Sequence, residues 1–144
     1  MKAKRVLLID DDYLPIQYYI SRLEKNNYEV LHYLNPDDAF AYIEKERPCL
    51  DGIVLDIMLP PGRKYKNMPT NQGLKTGSFL LKDLLELYPK VPVVVLTNVR
   101  NPKTLAEFTE SDLLKVAFKP DCPPKKLAEL LDELLSPNVN NMRG

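Results

Sequence analysis

Along this chain, short runs of apolar residues alternate with stretches whose apolar positions recur every three or four residues. Val6-Leu7-Leu8-Ile9 is the first run, and Tyr28 to Tyr33 the second. Gly52-Ile53-Val54-Leu55-Asp56-Ile57-Met58 is the third and the most continuous, and Val91 to Leu96 and Lys115 to Phe118 follow. Runs without an alternating polar face predict strands buried on both sides, the signature of a parallel sheet between helices. Between the runs lie helical patterns. Ile16, Ile20 and Leu23 form one stripe ending at Asn26-Asn27, and Asn35-Pro36 starts a helix that runs to about Lys45. Asparagine followed by proline supplies a cap and then a residue whose missing N–H costs nothing at the first helical position. Phe79, Leu80, Leu84 and Leu87 mark a third helix closed by Tyr88-Pro89, and Asn101-Pro102 restarts a fourth. Pro123-Pro124 opens a fifth, with Leu127, Leu130, Leu131 and Leu134 inward.

Strand followed by helix, five times over, predicts an α/β fold with right-handed crossovers. The expected architecture is a doubly wound, five-stranded parallel sheet of order 2-1-3-4-5, flavodoxin-like, with helices on both faces. Leu59 to Thr76 interrupts the pattern with three prolines, two glycines and no apolar period, and reads as a long loop. The expected bounds are 1–135 for the folded unit, with the inserted loop at about 60–76, and 136–144 for a flexible tail.

Composition changes this picture little. At 144 residues the chain suits one domain, and 20 basic against 20 acidic residues give no sign of nucleic-acid or anionic-membrane binding. Cys49 and Cys122 lack zinc spacing and suit a reducing compartment. The apolar run after the basic N-terminus is too short for a signal-peptide core and no stretch is long enough to span a bilayer, so a cytoplasmic location is expected.

The chemistry gathers at the carboxyl ends of the strands, where open α/β sheets bind ligands. Asp10, Asp11 and Asp12 follow the first, Asp56 the third, Thr97 the fourth and Lys119 the fifth. Carboxylates brought that close repel unless a cation lies among them, and oxygen-only ligands favour magnesium. A carboxylate beside such a cation can attack phosphorus, while a lysine and a hydroxyl take the phosphoryl oxygens. His32, in a strand remote from these acids, is expected to serve packing or the surface.

Four motifs carry a family resemblance: Leu7-Leu8-Ile9-Asp10-Asp11-Asp12, Ile53-Val54-Leu55-Asp56-Ile57-Met58-Leu59-Pro60, Val94-Val95-Leu96-Thr97 and Phe118-Lys119-Pro120. Over residues 4 to 135 the chain resembles a receiver domain of a two-component response regulator. The resemblance implies that Asp56 accepts phosphate from a histidine kinase or a histidine phosphotransfer protein. It also implies a Mg2+ ion held by Asp10, Asp11, Asp56 and the Met58 carbonyl, with Thr97 and Lys119 on the phosphoryl group. Such a domain is not a true enzyme, and it signals to a downstream protein through a surface that changes on phosphorylation. The family pattern further implies a cis Lys119-Pro120 bond, and it leaves Asp12 to cap the first helix.

Three departures stand out. Val116 occupies the place of the usual switch aromatic. Asn98, Met58 and Val99 are bulky for their positions around the phosphoryl site, which implies slow hydrolysis. The loop before Gly77 is longer than usual, and from Arg63 to Thr76 it holds four basic residues and no acid, so it is expected either to fold back as a basic flap or to remain a mobile insertion. Two other readings stay open at this stage. One is a receiver-like interaction module that is never phosphorylated. The other is a haloacid-dehalogenase-type phosphohydrolase using Asp10 and Asp12, which would need an acidic pair after Lys119.

Overall fold

A computed structural model describes residues 2–136. Five parallel strands, β1 (Lys4–Ile9), β2 (Tyr28–Tyr33), β3 (Gly52–Leu55), β4 (Val93–Thr97) and β5 (Leu114–Phe118), lie in the order β2-β1-β3-β4-β5. The helices are α1 (Tyr13–Lys25), α2 (Pro36–Glu46), α3 (Thr76–Leu87), α4 (Pro102–Leu105) and α5 (Pro124–Leu135). No helix among the described residues is long and apolar enough to cross a membrane.

Because side chains alternate along a strand, the wholly apolar strands feed two cores. Val6 and Leu8 of β1 pack with Val54, Val94 and Leu96 against Ile16 and Leu23 of α1 and Leu127 and Leu131 of α5. Leu7 and Ile9 pack on the other face with Leu55, Val95, Phe40 and Ile43 of α2, and Leu80 and Leu84 of α3. Truncating any of the fully buried leucines would cost about 2–5 kcal/mol, so these cores fix the sheet rigidly beneath the site.

The capping expected for α2 is present: the Asn35 side chain accepts from the Asp38 N–H, with Pro36 at the first position. Two elements depart from their expected form. β4 begins at Val93, because Val91 and Pro92 still belong to the turn after α3. The fourth helix is a single turn, capped as expected by Asn101 but ended at Leu105. The tail expected at 136–144 lies, beyond Ser136, outside the described residues.

Candidate phosphoacceptor site

Strand register brings the site together. Ile9 pairs with Leu55, so Asp10 and Asp56 leave adjacent strands side by side at the point where the strand order reverses. Thr97 pairs with Phe118, which sets Lys119 next to the end of β4. Backbone bonds fix both exits: the Asp10 N–H donates to Tyr33 O and the Asp56 N–H to Ile9 O, each at 3.1 Å.

Asp10 is 2% exposed and Asp56 6%, while Asp11 is open to solvent. One carboxylate oxygen from each of these three residues lies within 4.8 Å of the others. Lys119 Nζ sits 2.8 Å from Asp10 Oδ2 and 3.2 Å from Asp56 Oδ2. Burial pushes the Asp10 carboxyl above its ordinary value despite the pull of Lys119, and burial likewise raises Asp11. Burial alone would lower Lys119, but the attraction of Asp56 and Asp10 outweighs it and holds the ammonium above its ordinary value. Three carboxylates therefore cluster at one ammonium, which contacts two of them. That all-oxygen donor set, short of positive charge, fits a hard divalent cation.

The remaining groups complete a cleft of about 500 Å³ lined by Asp11, Asp56, Met58, Asn98 and Lys119. The Met58 N–H reaches Asp56 Oδ1 at 3.3 Å. Thr97 is buried, and its hydroxyl oxygen accepts the Val99 N–H at 3.1 Å, leaving the hydroxyl proton free to donate elsewhere. Asp12 precedes α1 without a side-chain cap, and its own N–H instead donates to Asp10 Oδ1 at 2.8 Å.

Three expectations are corrected here. His32 is not remote from the acids: it pairs with Leu8 in register, and its Nε2–H donates to the Asp10 carbonyl at 2.9 Å. The Lys119–Pro120 peptide is trans, because the chain passes directly into a 3-10 turn over Lys119–Asp121 closed by the Cys122 N–H on Lys119 O. The inserted loop is neither a basic flap nor loose. The Arg63 and Lys64 N–H groups donate to the Asp37 carboxylate at 2.7 and 3.0 Å, and the buried Tyr65 donates its hydroxyl to Asp83 at 2.6 Å. Lys64 lies over the Phe40 ring and Lys75 faces Glu107. The part that reaches the cleft is the uncharged tip, Gln72, Gly73 and Leu74.

Sequence reasoning missed that tip and its anchor. Asp37 reads as an ordinary first-turn helix acid, and nothing local ties it to a loop 26 residues away. Gly73 did carry a signal, a glycine where the chain must come close to its own backbone. A Cβ there would lie 2.8 Å from Leu59 O. The acid sought by the phosphohydrolase reading, Asp121, lines a different cleft between β5 and α5.

A doubly wound sheet with acids on β1 and β3, a hydroxyl on β4 and a lysine on β5 defines a receiver-type site. The chain belongs to the response regulator receiver domain family, whose model matches residues 6–132. Among solved structures it is similar to the chemotaxis response regulator CheY4 of Vibrio cholerae, at 24% identity over 92% of this chain and 99% of that one, with a TM-score of 0.70. It is also similar to a CheY-like receiver domain protein from Methanospirillum hungatei JF-1, at 23% identity over 99% of each chain and a TM-score of 0.71. The receiver domain of an HD domain-containing protein from Pseudomonas fluorescens Pf-5 matches at 17% identity, over 99% of this chain and 94% of that one, with a TM-score of 0.73. At such identities the likeness is one of fold. No curated protein matches the chain.

Proposed function

We propose that this protein accepts a phosphoryl group on Asp56 from the phosphohistidine of a histidine kinase or histidine phosphotransfer protein. One observation carries the reading: Asp56 lies beside Asp10 and Asp11 with the Lys119 ammonium 3.2 Å away, at the mouth of a solvent-accessible cleft. An Asp56 carboxylate oxygen attacks phosphorus, the P–N bond breaks, and its electron pair stays on the departing imidazole. Lys119 moves from neutralising two carboxylates to holding a phosphoryl oxygen, and the Thr97 hydroxyl donates to another. Asp10, Asp11, Asp56 and the Met58 carbonyl would hold Mg2+, which when bound supplies charge neutralisation for the transferring group.

Tyr18 and Leu14 of α1, the helix that follows Asp10, Asp11 and Asp12, are 75% and 74% exposed, an apolar surface that supports docking of the donor there. Signal output is assigned to the surface of α4, β5 and α5, read by a downstream protein. A receiver domain activated with beryllofluoride is among the similar structures, at 20% identity and a TM-score of 0.70, which makes that phosphoryl mimic a suitable probe here.

The test is intact mass after incubation with phosphoramidate or acetyl phosphate, with and without magnesium. A phosphoryl adduct that requires magnesium and disappears in Asp56→Asn is the expected result. Its absence with these donors and with a phosphorylated histidine domain would instead support an interaction module that is not phosphorylated, a reading that Val116 at the switch-aromatic position favours.

A further inference from the structure

The strap from Leu59 to Lys75 is held at its base and pinned at its tip. Asp37 and Asp83 anchor the base, as described. At the tip, the Leu59 N–H donates to Gly73 O at 3.1 Å, the Lys75 N–H to Thr70 O at 2.8 Å and the Gly73 N–H to the buried Thr70 hydroxyl at 3.4 Å. Leu59 stands three residues after Asp56, so this pin ties the tip to the phosphoacceptor strand's own exit. Asn71, Gln72 and Gly73 all have positive φ, at 55°, 58° and 93°. Glycine adopts this conformation freely, but asparagine and glutamine do so at a cost, and such strain persists where the surrounding bonds enforce it, most often at functional sites. The run sets Gln72 along the same cleft as Asp56 and Lys119, which Leu74 and Met58 also line. It is the strap's one polar side chain on that cleft.

We propose that Gln72 is a catalytic residue for loss of the phosphoryl group, its amide orienting the attacking water over phosphorus. This inference rests on the phosphoacceptor reading of Asp56. A primary amide suits the task because its oxygen accepts from the water while its nitrogen donates to a phosphoryl oxygen, the two contacts needed to align water in line with the breaking bond. The water oxygen bonds phosphorus, and the P–O bond to Asp56 breaks with its electron pair on the carboxylate. Both water protons leave on the phosphate. Asn98 also brings an amide to the cleft, but it adjoins Thr97 at the start of the loop leading to the single-turn α4, whereas Gln72 is carried on a pinned strap. Met58 and Asn98 line the same cleft, where their bulk is expected to slow hydrolysis, and Gln72 sets how much of that slow rate remains.

The experiment phosphorylates full-length wild type, Gln72→Ala, Asn98→Ala and Leu74→Ala with phosphoramidate, removes the donor by desalting, and follows adduct loss by intact mass. Beryllofluoride affinity in magnesium is measured in parallel to report an intact pocket. Gln72→Ala is expected to lengthen the phosphoryl lifetime about tenfold or more, less than the roughly 10²–10⁴-fold of a group that transfers a proton, because an amide only orients the water, while beryllofluoride still binds. Leu74→Ala, which removes no polar group, is expected to leave the lifetime within twofold. An unchanged or shortened lifetime in Gln72→Ala, or an equal lengthening in Leu74→Ala, would overturn the assignment, as would a lengthening confined to Asn98→Ala. Failure of wild type to form any adduct would count against the phosphoacceptor reading instead.

Discussion

Charge at the single residue decides how this site answers pH and magnesium. Asp10 and Asp11 both have carboxyls raised by burial above the ordinary 3.8. The folded state therefore binds their protons more tightly than the unfolded chain does. The stability these groups contribute is fully present below pH 3.8 and is lost as pH rises through their folded values. A divalent cation returns that loss only where the carboxylates are ionised. Magnesium at about five times its Kd is expected to raise stability by about 1 kcal/mol near pH 7.5, a shift in Tm of about 2–4 °C. The shift should shrink as pH falls into the raised carboxylate range, and Asp11→Asn should abolish most of it; a thermal melt series in pH and magnesium checks both. Gly77 is the other decisive residue. Its N–H donates to Ile57 O at 2.7 Å, and a Cβ would lie 2.4 Å from Ile57 Cα and 2.6 Å from Asp56 O. Backbone cannot yield as a side-chain tip does, so Gly77→Ala is expected to cost about 2–3 kcal/mol in urea unfolding. It should also slow phosphorylation by displacing Asp56. The acids, threonine and lysine were legible in the sequence because each is a residue type placed at a strand end, whereas the close approach at Gly77 was not, since it depends on how α3 packs on the exit of β3. The contact of His32 with the Asp10 carbonyl was not, since it depends on cross-strand register.

Among the elements, the strands and four of the five helices follow directly from apolar spacing and Asn-Pro or Pro-Pro starts, and they agree with the structure within a residue or two. Two elements do not. The fourth helix has a good cap in Asn101 but no run of core residues after it: Thr104 is buried, Phe108 lies beyond the helix end, and Glu110 is spent capping the Val116 N–H at 3.2 Å. A start signal without a following apolar stripe gives one turn. The strap looked structureless for the opposite reason. It has no period because it is held by single long-range contacts, Asp37 with two N–H groups and Tyr65 with Asp83, which local sequence cannot announce. Order in the strap is testable by limited trypsin digestion at Lys66. Wild type is expected to resist, and Asp37→Ala, which removes two charge-assisted bonds worth on the order of 1 kcal/mol each, is expected to be cut several times faster. The Asp37 carboxyl is held below its ordinary value by the Arg63 N–H, with the Lys64 N–H adding to it. Its contribution is therefore present above pH 3.8 and lost as pH falls through its folded value, so wild type and Asp37→Ala should converge in susceptibility when an acid-active protease such as pepsin is used below that value.

Across the whole molecule, the question is how the proposed phosphorylation of Asp56 would reach a surface when Val116 stands where a switching ring is usual. Val116 packs with the core cluster behind β5 and has no ring to move. The structure offers another ring. Phe118, the residue before Lys119, lies beneath the Arg100 guanidinium at 3.9 Å from its ring centroid, and Arg100 follows Thr97 in the loop leading to α4. Such a contact contributes about 0.5–1 kcal/mol at an exposed site, enough to bias a segment as weakly held as the single-turn α4. It joins the two strand ends whose side chains would grip the phosphoryl group. Drawing Thr97 and Lys119 inward would therefore shift Arg100 and Phe118 together, and the segment 98–113 would follow. Hydrogen exchange with beryllofluoride and magnesium is expected to change in 98–113 and in β5, and to leave α2 unaltered. In Arg100→Ala the exchange change in 98–113 should fall to less than about half, while the rate of Asp56 phosphorylation stays near wild type. If Arg100→Ala leaves the exchange response whole, the coupling runs through Thr97 and the backbone alone. If it abolishes phosphorylation as well, Arg100 belongs to the acceptor site and not to the path leading out of it.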